Sequence, residues 1–263
     1  MSLTDAHTHL ADEVFCDNID DVLGRAQDSE VSLLVNVSST VEELGRSFAY
    51  AEKFPNIRFF HVGGTPPQDA QEDIEAMVSY VRDLALGGKL AAVGEVGLDY
   101  SPRETDATIR RQHEVLRRYF EIALEARLPL VVHCRGAFRD FFQALDAYYI
   151  NDPRALPGML HCFTGSLEEA QELISRGWFI SISGIVTFKN AQNLRDLVTQ
   201  IPEEHLLIET DAPFLAPTPY RGKRNEPAYI VHTLQVLANL KGESEEELAE
   251  ILRRNTLRFL QHT

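Results

Sequence analysis

Val93-Gly94-Glu95-Val96-Gly97-Leu98-Asp99-Tyr100 sets a lone carboxylate between two glycines at the end of an apolar run that begins at Leu90. The run reads as a buried strand. An unpaired carboxylate loses several kcal/mol of hydration when buried, so Glu95 calls for a proton, a counter-ion or a metal. Three other strand-like runs end in histidine: Asp5-Ala6-His7-Thr8-His9, Leu130-Val131-Val132-His133 and Met159-Leu160-His161. A fourth ends in Glu209-Thr210-Asp211. Singly each is weak. H-x-H is common, an isolated histidine is more often a hydrogen-bonded core residue, and an aspartate before Pro213 is usually a turn residue. Five strand ends that all carry such groups form a metal-site pattern, since imidazole with carboxylate suits Zn, Mn, Fe or Ni and carboxylate-rich sites suit Mg or Mn. Glu95 is read as bridging two cations held by these groups.

Outward from this stretch, short apolar runs alternate with amphipathic ones. Strands are expected over residues 3–9, 31–37, 57–62, 90–96, 130–133, 159–161, 178–183 and 205–209. Helices are expected over 20–29, 41–54, 69–86, 107–127, 136–148, 167–176 and 191–200, with two more, 227–240 and 244–260, closing the chain. Eight strand–helix units in 263 residues have the rhythm of a (β/α)8 TIM barrel, a single domain over 1–263. A doubly wound open sheet is the alternative, but no G-x-G-x-x-G turn follows strand 1 and there is no P-loop. The acid and histidine groups fall at the C-terminal ends of strands 1, 4, 5, 6 and 8. In a barrel those ends converge on one face; in an open sheet they would be strung along an edge.

With 44% hydrophobic residues the chain can bury a large core. No apolar run approaches the ~18 residues of a membrane span, and no secretory signal is visible. Three cysteines without zinc-knuckle spacing suit a reducing compartment, so a cytoplasmic location is expected. Nothing in the sequence calls for an obligate protein partner. A net charge of −15 argues against broad coating of nucleic acid. It leaves a nuclease open, because metal ions and a few local arginines can carry the phosphate contacts. His61, His113, His205, His232 and His262 are read as structural or solvent-facing. Strand alternation turns Cys134 and Cys162 away from the neighbouring histidines, against the outer helices.

The motifs together resemble the TatD-type metal-dependent deoxyribonucleases, among the amidohydrolase-like barrels. The likeness runs through D-A-H-T-H at 5–9, G-E-V-G-L-D-Y at 94–100 and L-P-L-V-V-H-C-R at 128–135. It continues through H-C-F-T-G-S at 161–166, E-T-D-A-P-F-L-A-P at 209–217 and R-G-K-R-N-E-P at 221–227. The resemblance implies two divalent ions per chain, Mg, Mn or Zn. One would be held by His7, His9, Glu95 and Asp211, the other by Glu95, His133 and His161. It also implies hydrolysis of phosphodiester bonds in nucleic acid, as a 3′-5′ exonuclease-like deoxyribonuclease on single-stranded DNA.

The catalytic pair expected is Glu95, holding the cations, and Asp211, taking the proton of the attacking water. Arg135, Arg221 and Arg224 are the candidates for contacts to phosphate, with a solvated loop as an equal reading for the last two. Glu209 and Asp99 are candidates for orienting the histidines, with salt-bridge or cap roles as an equal reading. One position departs from the family pattern. Where the family carries a G-x-H-P turn after strand 3, with its histidine facing the active site, this chain has Gly63-Gly64-Thr65-Pro66. Thr65→His is therefore expected to raise turnover. Two other classes remain: an amide, ester or lactone hydrolase of the same barrel type, and a non-catalytic metal-binding descendant. Many barrels of the first class bridge their metals with a carboxylated lysine, and no lysine ends any strand here.

Overall fold

A computed structural model describes residues 2–261. Its strands are β1 (Leu3–Thr8), β2 (Val31–Ser38), β3 (Arg58–Gly63), β4 (Ala92–Asp99), β5 (Leu130–Arg135), β6 (Met159–Leu160), β7 (Phe179–Ile182) and β8 (Leu206–Ile208). All neighbours pair in parallel in chain order. The helices between them are α1 (Ile19–Asp28), α2 (Val41–Lys53), α3 (Glu75–Leu86), α4 (Asp106–Ala126), α5 (Phe138–Tyr148), α6 (Leu167–Ser175) and α7 (Gln192–Val198). Then α8 (Ile230–Lys241) and α9 (Glu245–Phe259) follow β8. The architecture is the expected (β/α)8 barrel, and no described helix is long and apolar enough to cross a membrane.

Closure comes from the chain just beyond β8. The Asp211 N–H donates to the His7 carbonyl at 3.0 Å, and the His9 N–H donates to the Ala212 carbonyl at 2.7 Å. The seam of the barrel thus joins two of the segments that carry candidate ligands. Inside the barrel lie alternate residues such as Leu33, Val35, Val37, Phe60 and Val62, with Phe259 and Leu260 of the last helical turn in the same cluster. A larger cluster fills the layer between strands and helices.

The helix starts follow local chemistry. Thr105, Ser166 and Ser244 each cap a helix reciprocally with the residue three positions on, Thr108, Glu169 and Glu247. Two expectations need correction. The helix after β3 starts at Glu75, not 69, because Pro66 and Pro67 hold the chain in an extended and then a tight 3-10 turn. Strand β4 does not end at Val96 but continues to Asp99, with Leu98 and Asp99 opposite Cys134 and Arg135. Gly97 permits that continuation: at φ 156° it approaches β5 so closely that a Cβ would lie 1.8 Å from the His133 carbonyl oxygen.

His61 is structural, as expected. Its Nδ1 lies 2.7 Å from the Ser47 hydroxyl of α2, and burial pushes its pKa down to about 4. The folded value lies below the unfolded one, so the native chain binds fewer protons. His61 therefore takes away stability as pH falls from about 6.5 towards 4, by at most ~3 kcal/mol. His61→Gln should flatten that part of the profile in urea unfolding at pH 7 and pH 5. Equal pH slopes for variant and wild type would remove the assignment. His262 lies outside the described residues.

Candidate metal centre

Around the C-terminal mouth, six side chains converge from five strands. His7 Nε2 and His9 Nε2 are 3.0 Å apart. Each lies 3.5 Å from Glu95 Oε2, and they stand 3.6 and 3.5 Å from Asp211 Oδ1. The other oxygen of Glu95 faces a second pair: Oε1 is 3.0 Å from His161 Nε2 and 3.2 Å from His133 Nδ1, and those nitrogens are 3.1 Å apart. Four ligands at ~2.0–2.2 Å from a tetrahedral centre sit about 3.3–3.6 Å from one another. In the first group the carboxylate–imidazole distances, 3.5–3.6 Å, have that spacing, while the two imidazole nitrogens at 3.0 Å stand closer. The second supplies three donors and leaves further positions open, as reactive sites do.

Electrostatics agree with a cation-binding role. Burial and the neighbouring His161 hold His7 below the ordinary imidazole range, so its lone pair is available. Burial opposes charge on Glu95, but His161, His133 and His7 around it hold the carboxyl well below the usual range. Asp211 is likewise held low against burial, by His9 first. Burial opposes charge on His9, His133 and His161, but the neighbouring carboxylates Asp211, Asp99 and Glu95 raise all three, so the cluster favours positive charge, carried by protons or by a cation. The donor set fits divalent cations.

Behind the donors stands a layer of acids. Asp99 Oδ2 is 3.1 Å from His133 Nε2, which directs Nδ1 inward. Glu209 is fully buried; its Oε1 accepts the Cys162 N–H at 2.6 Å and lies 3.6 Å from His161 Nδ1. Asp5, the first letter of D-A-H-T-H, was not singled out by the sequence. Its carboxylate accepts the Thr210 N–H at 2.9 Å and the Thr210 hydroxyl, which ties β1 to the segment that carries Asp211. Burial pushes Asp5 up to about 7. Also unforeseen is Gln68, whose amide donates to Asp99 at 3.3 Å.

These groups open into a cavity of about 640 Å³ that also reaches Asp12, Glu43, Asp69, Arg135, Ile185, Phe214 and Leu215. Arg135 reaches it with its side chain largely exposed, 4.0 Å from Asp99. Arg221 and Arg224 do not line it. Arg221 stacks on Phe188 at 3.7 Å, and Arg224 stacks on Phe15 and donates to the Val14 carbonyl. Cys134 packs in the core as expected, but Cys162 does not turn outward. Strand β6 ends at Leu160, and φ 46° at Cys162 breaks the alternation, leaving its thiol 3.3 Å from the Ser183 hydroxyl.

Thr65 also departs from expectation. Phe60 and Val62 point into the barrel, so the odd residues face the helices. The Thr65 hydroxyl lies 2.7 Å from the Tyr119 hydroxyl of α4, buried and outside the cavity. Thr65→His should leave turnover within about twofold, since the imidazole meets Tyr119 rather than substrate. The expected cost is ~1–3 kcal/mol of stability from overpacking, read by thermal unfolding. A rise in turnover on phosphodiesters would show that the imidazole reaches the site.

The TatD related DNase family model matches residues 4–261. The chain belongs to the TatD family. It is a metal-dependent hydrolase, like the uncharacterized metal-dependent hydrolase YabD of Bacillus subtilis. The two are 36% identical over 98% of each chain. The 3′-5′ ssDNA/RNA exonuclease TatD of Salmonella typhimurium is 33% identical over 93% of this chain and 94% of its own. Among solved structures, the TatD homologue YJJV of Escherichia coli K12 superposes with a TM-score of 0.89 at 26% identity, over 99% of this chain and 98% of the other. The TatD fold is shared end to end.

Proposed function

We propose that this TatD-family hydrolase is a two-metal phosphodiesterase that removes nucleotides from the 3′ end of single-stranded DNA. The observation that carries the reading is Glu95, whose two oxygens face two different pairs of imidazoles, His7 with His9 and His133 with His161. One acid directed at two donor sets is the ligand pattern of a bridged pair of cations. The named exonuclease activity of the Salmonella typhimurium relative supports the choice of phosphodiester over amide. No lysine lines the cavity among the described residues, so a carboxylated-lysine bridge has no candidate there.

His7, His9, Glu95 and Asp211 would hold one ion, and Glu95, His133 and His161 the other. Bound there, divalent cations supply Lewis acidity to the phosphate and lower the pKa of a water. The chain's own groups do the rest. Asp99 fixes the ring orientation of His133, and Glu209, 3.6 Å from His161 Nδ1, balances charge on that ring. Asp211, ionised at neutral pH, accepts the proton of the attacking water at its carboxylate. Arg135, at the cavity mouth, contacts a non-bridging phosphate oxygen.

Elemental analysis and turnover test the proposal. The expected result is two divalent ions per chain and stepwise loss of mononucleotides from the 3′ end of a 5′-labelled strand with Mn²⁺ or Mg²⁺. Hydrolysis of small esters or lactones, with the strand left intact under every metal, would overturn it.

A further inference from the structure

Four large apolar side chains stand exposed among the described residues: Val14, Leu86, Tyr148 and Phe214. Of these, Phe214 alone lines the metal-centre cavity, and it is 54% exposed there. Its ring lies edge-on to the imidazole of His9, with centroids 6.1 Å apart and planes at 71°. Leu215, Ile185 and Arg135 line the same cavity.

An exposed apolar ring is poorly hydrated unless something covers it, and the backbone that carries this one is tied down on both sides. The Phe214 N–H donates to the Asp211 carbonyl at 2.8 Å, and the Asn225 amide donates to the Phe214 carbonyl at 2.7 Å. Left-handed residues flank it, Asp211 at φ 57° and Leu215 at φ 55°, with Pro213 between. A ring on a backbone fixed in this way has only its own two side-chain torsions to lose when it binds a ligand. Its face suits a flat aromatic partner, and the ring stands next to His9 of the proposed metal site.

We infer that Phe214 is a stacking platform for the nucleobase next to the scissile phosphate. This rests on the nuclease reading above and extends it to how the strand end is held. Stacking tolerates any base, since every base offers a π-face. It also requires that base to be unpaired and turned out of a helix, which selects single strands and frayed ends. The surface is strongly acidic, with a net charge of −15, so base contact of this kind takes over part of what a basic groove does in other nucleases.

The test compares a 5′-labelled single strand ending in an ordinary 3′ nucleotide with one ending in an abasic tetrahydrofuran unit. With Mn²⁺, F214A should lower kcat/KM on the intact strand by about 5- to 150-fold, the range for loss of one stacked base. On the abasic strand it should change the rate less than twofold, and F214W should restore the intact-strand rate. In EDTA, the intact strand should quench the fluorescence of F214W beyond that of the wild type, and the abasic strand should not. Circular dichroism confirms that F214A is folded. Equal losses on both strands, or no loss on either, would overturn the stacking role alone. If the wild type cleaves neither strand, the nuclease reading falls and this inference falls with it.

Discussion

Glu95→Ala should leave the purified protein with almost no bound divalent metal. Glu95 is 6% exposed, and each of its oxygens lies 3.0–3.5 Å from two imidazole nitrogens. Removing it takes one charged ligand from each group and the only anion among the second group's three donors. Loss of an outer partner of a ligand already costs ~10–100-fold in affinity, so loss of the bridge should cost at least ~10²-fold. Elemental analysis after dialysis measures this directly. Glu95→Gln serves as the control for shape, because it keeps the volume and removes only the charge. Both variants should lose metal while circular dichroism shows a folded barrel, since the outer helix–strand layer does not involve Glu95. Near-normal content of two ions in either variant would end the bridging assignment.

Much of this was readable before any coordinate. The barrel rhythm follows from apolar runs that are short enough for strands and regularly spaced. The convergence of His7, His9, Glu95, His133, His161 and Asp211 follows from their common place at strand ends, once the strands form a ring. Asp99 and Glu209 were visible as acids within reach of histidines. What could not be read depended on long-range contact or broken periodicity. Asp5 is an ordinary buried aspartate until Thr210 arrives beside it from the far end of the chain. Thr65 looks like a missing catalytic group because its motif neighbours are intact, but two residues past the end of β3 its hydroxyl meets Tyr119 of α4, a contact 54 residues away in the chain. At Cys162 alternation fails because the backbone turns left-handed after two strand residues. Arg221 and Arg224 stood in a suitable motif, yet aromatic rings from other loops hold them off the cavity.

Asp211→Asn should lower kcat by at least ~10²-fold while leaving the fold nearly unchanged. The backbone is the first reason for the small structural effect. Asp211 sits at φ 57°, a conformation that asparagine adopts as readily as aspartate, and its N–H bond to the His7 carbonyl does not involve the side chain. The amide also keeps the size and shape of the carboxylate beside His7 and His9. What is lost is the charge and the proton acceptor. Asp211 is one of four donors in its group, so the remaining His7, His9 and Glu95 can still hold an ion at saturating metal. The rate loss then reports proton transfer, for which a positioned general base contributes about 10²–10⁴-fold. Turnover and metal content must be measured on the same preparation. A variant with full metal and a deep loss of kcat places Asp211 in the chemistry. If low metal accounted for the whole loss, Asp211 would be only a ligand, and wild-type turnover would make it merely structural.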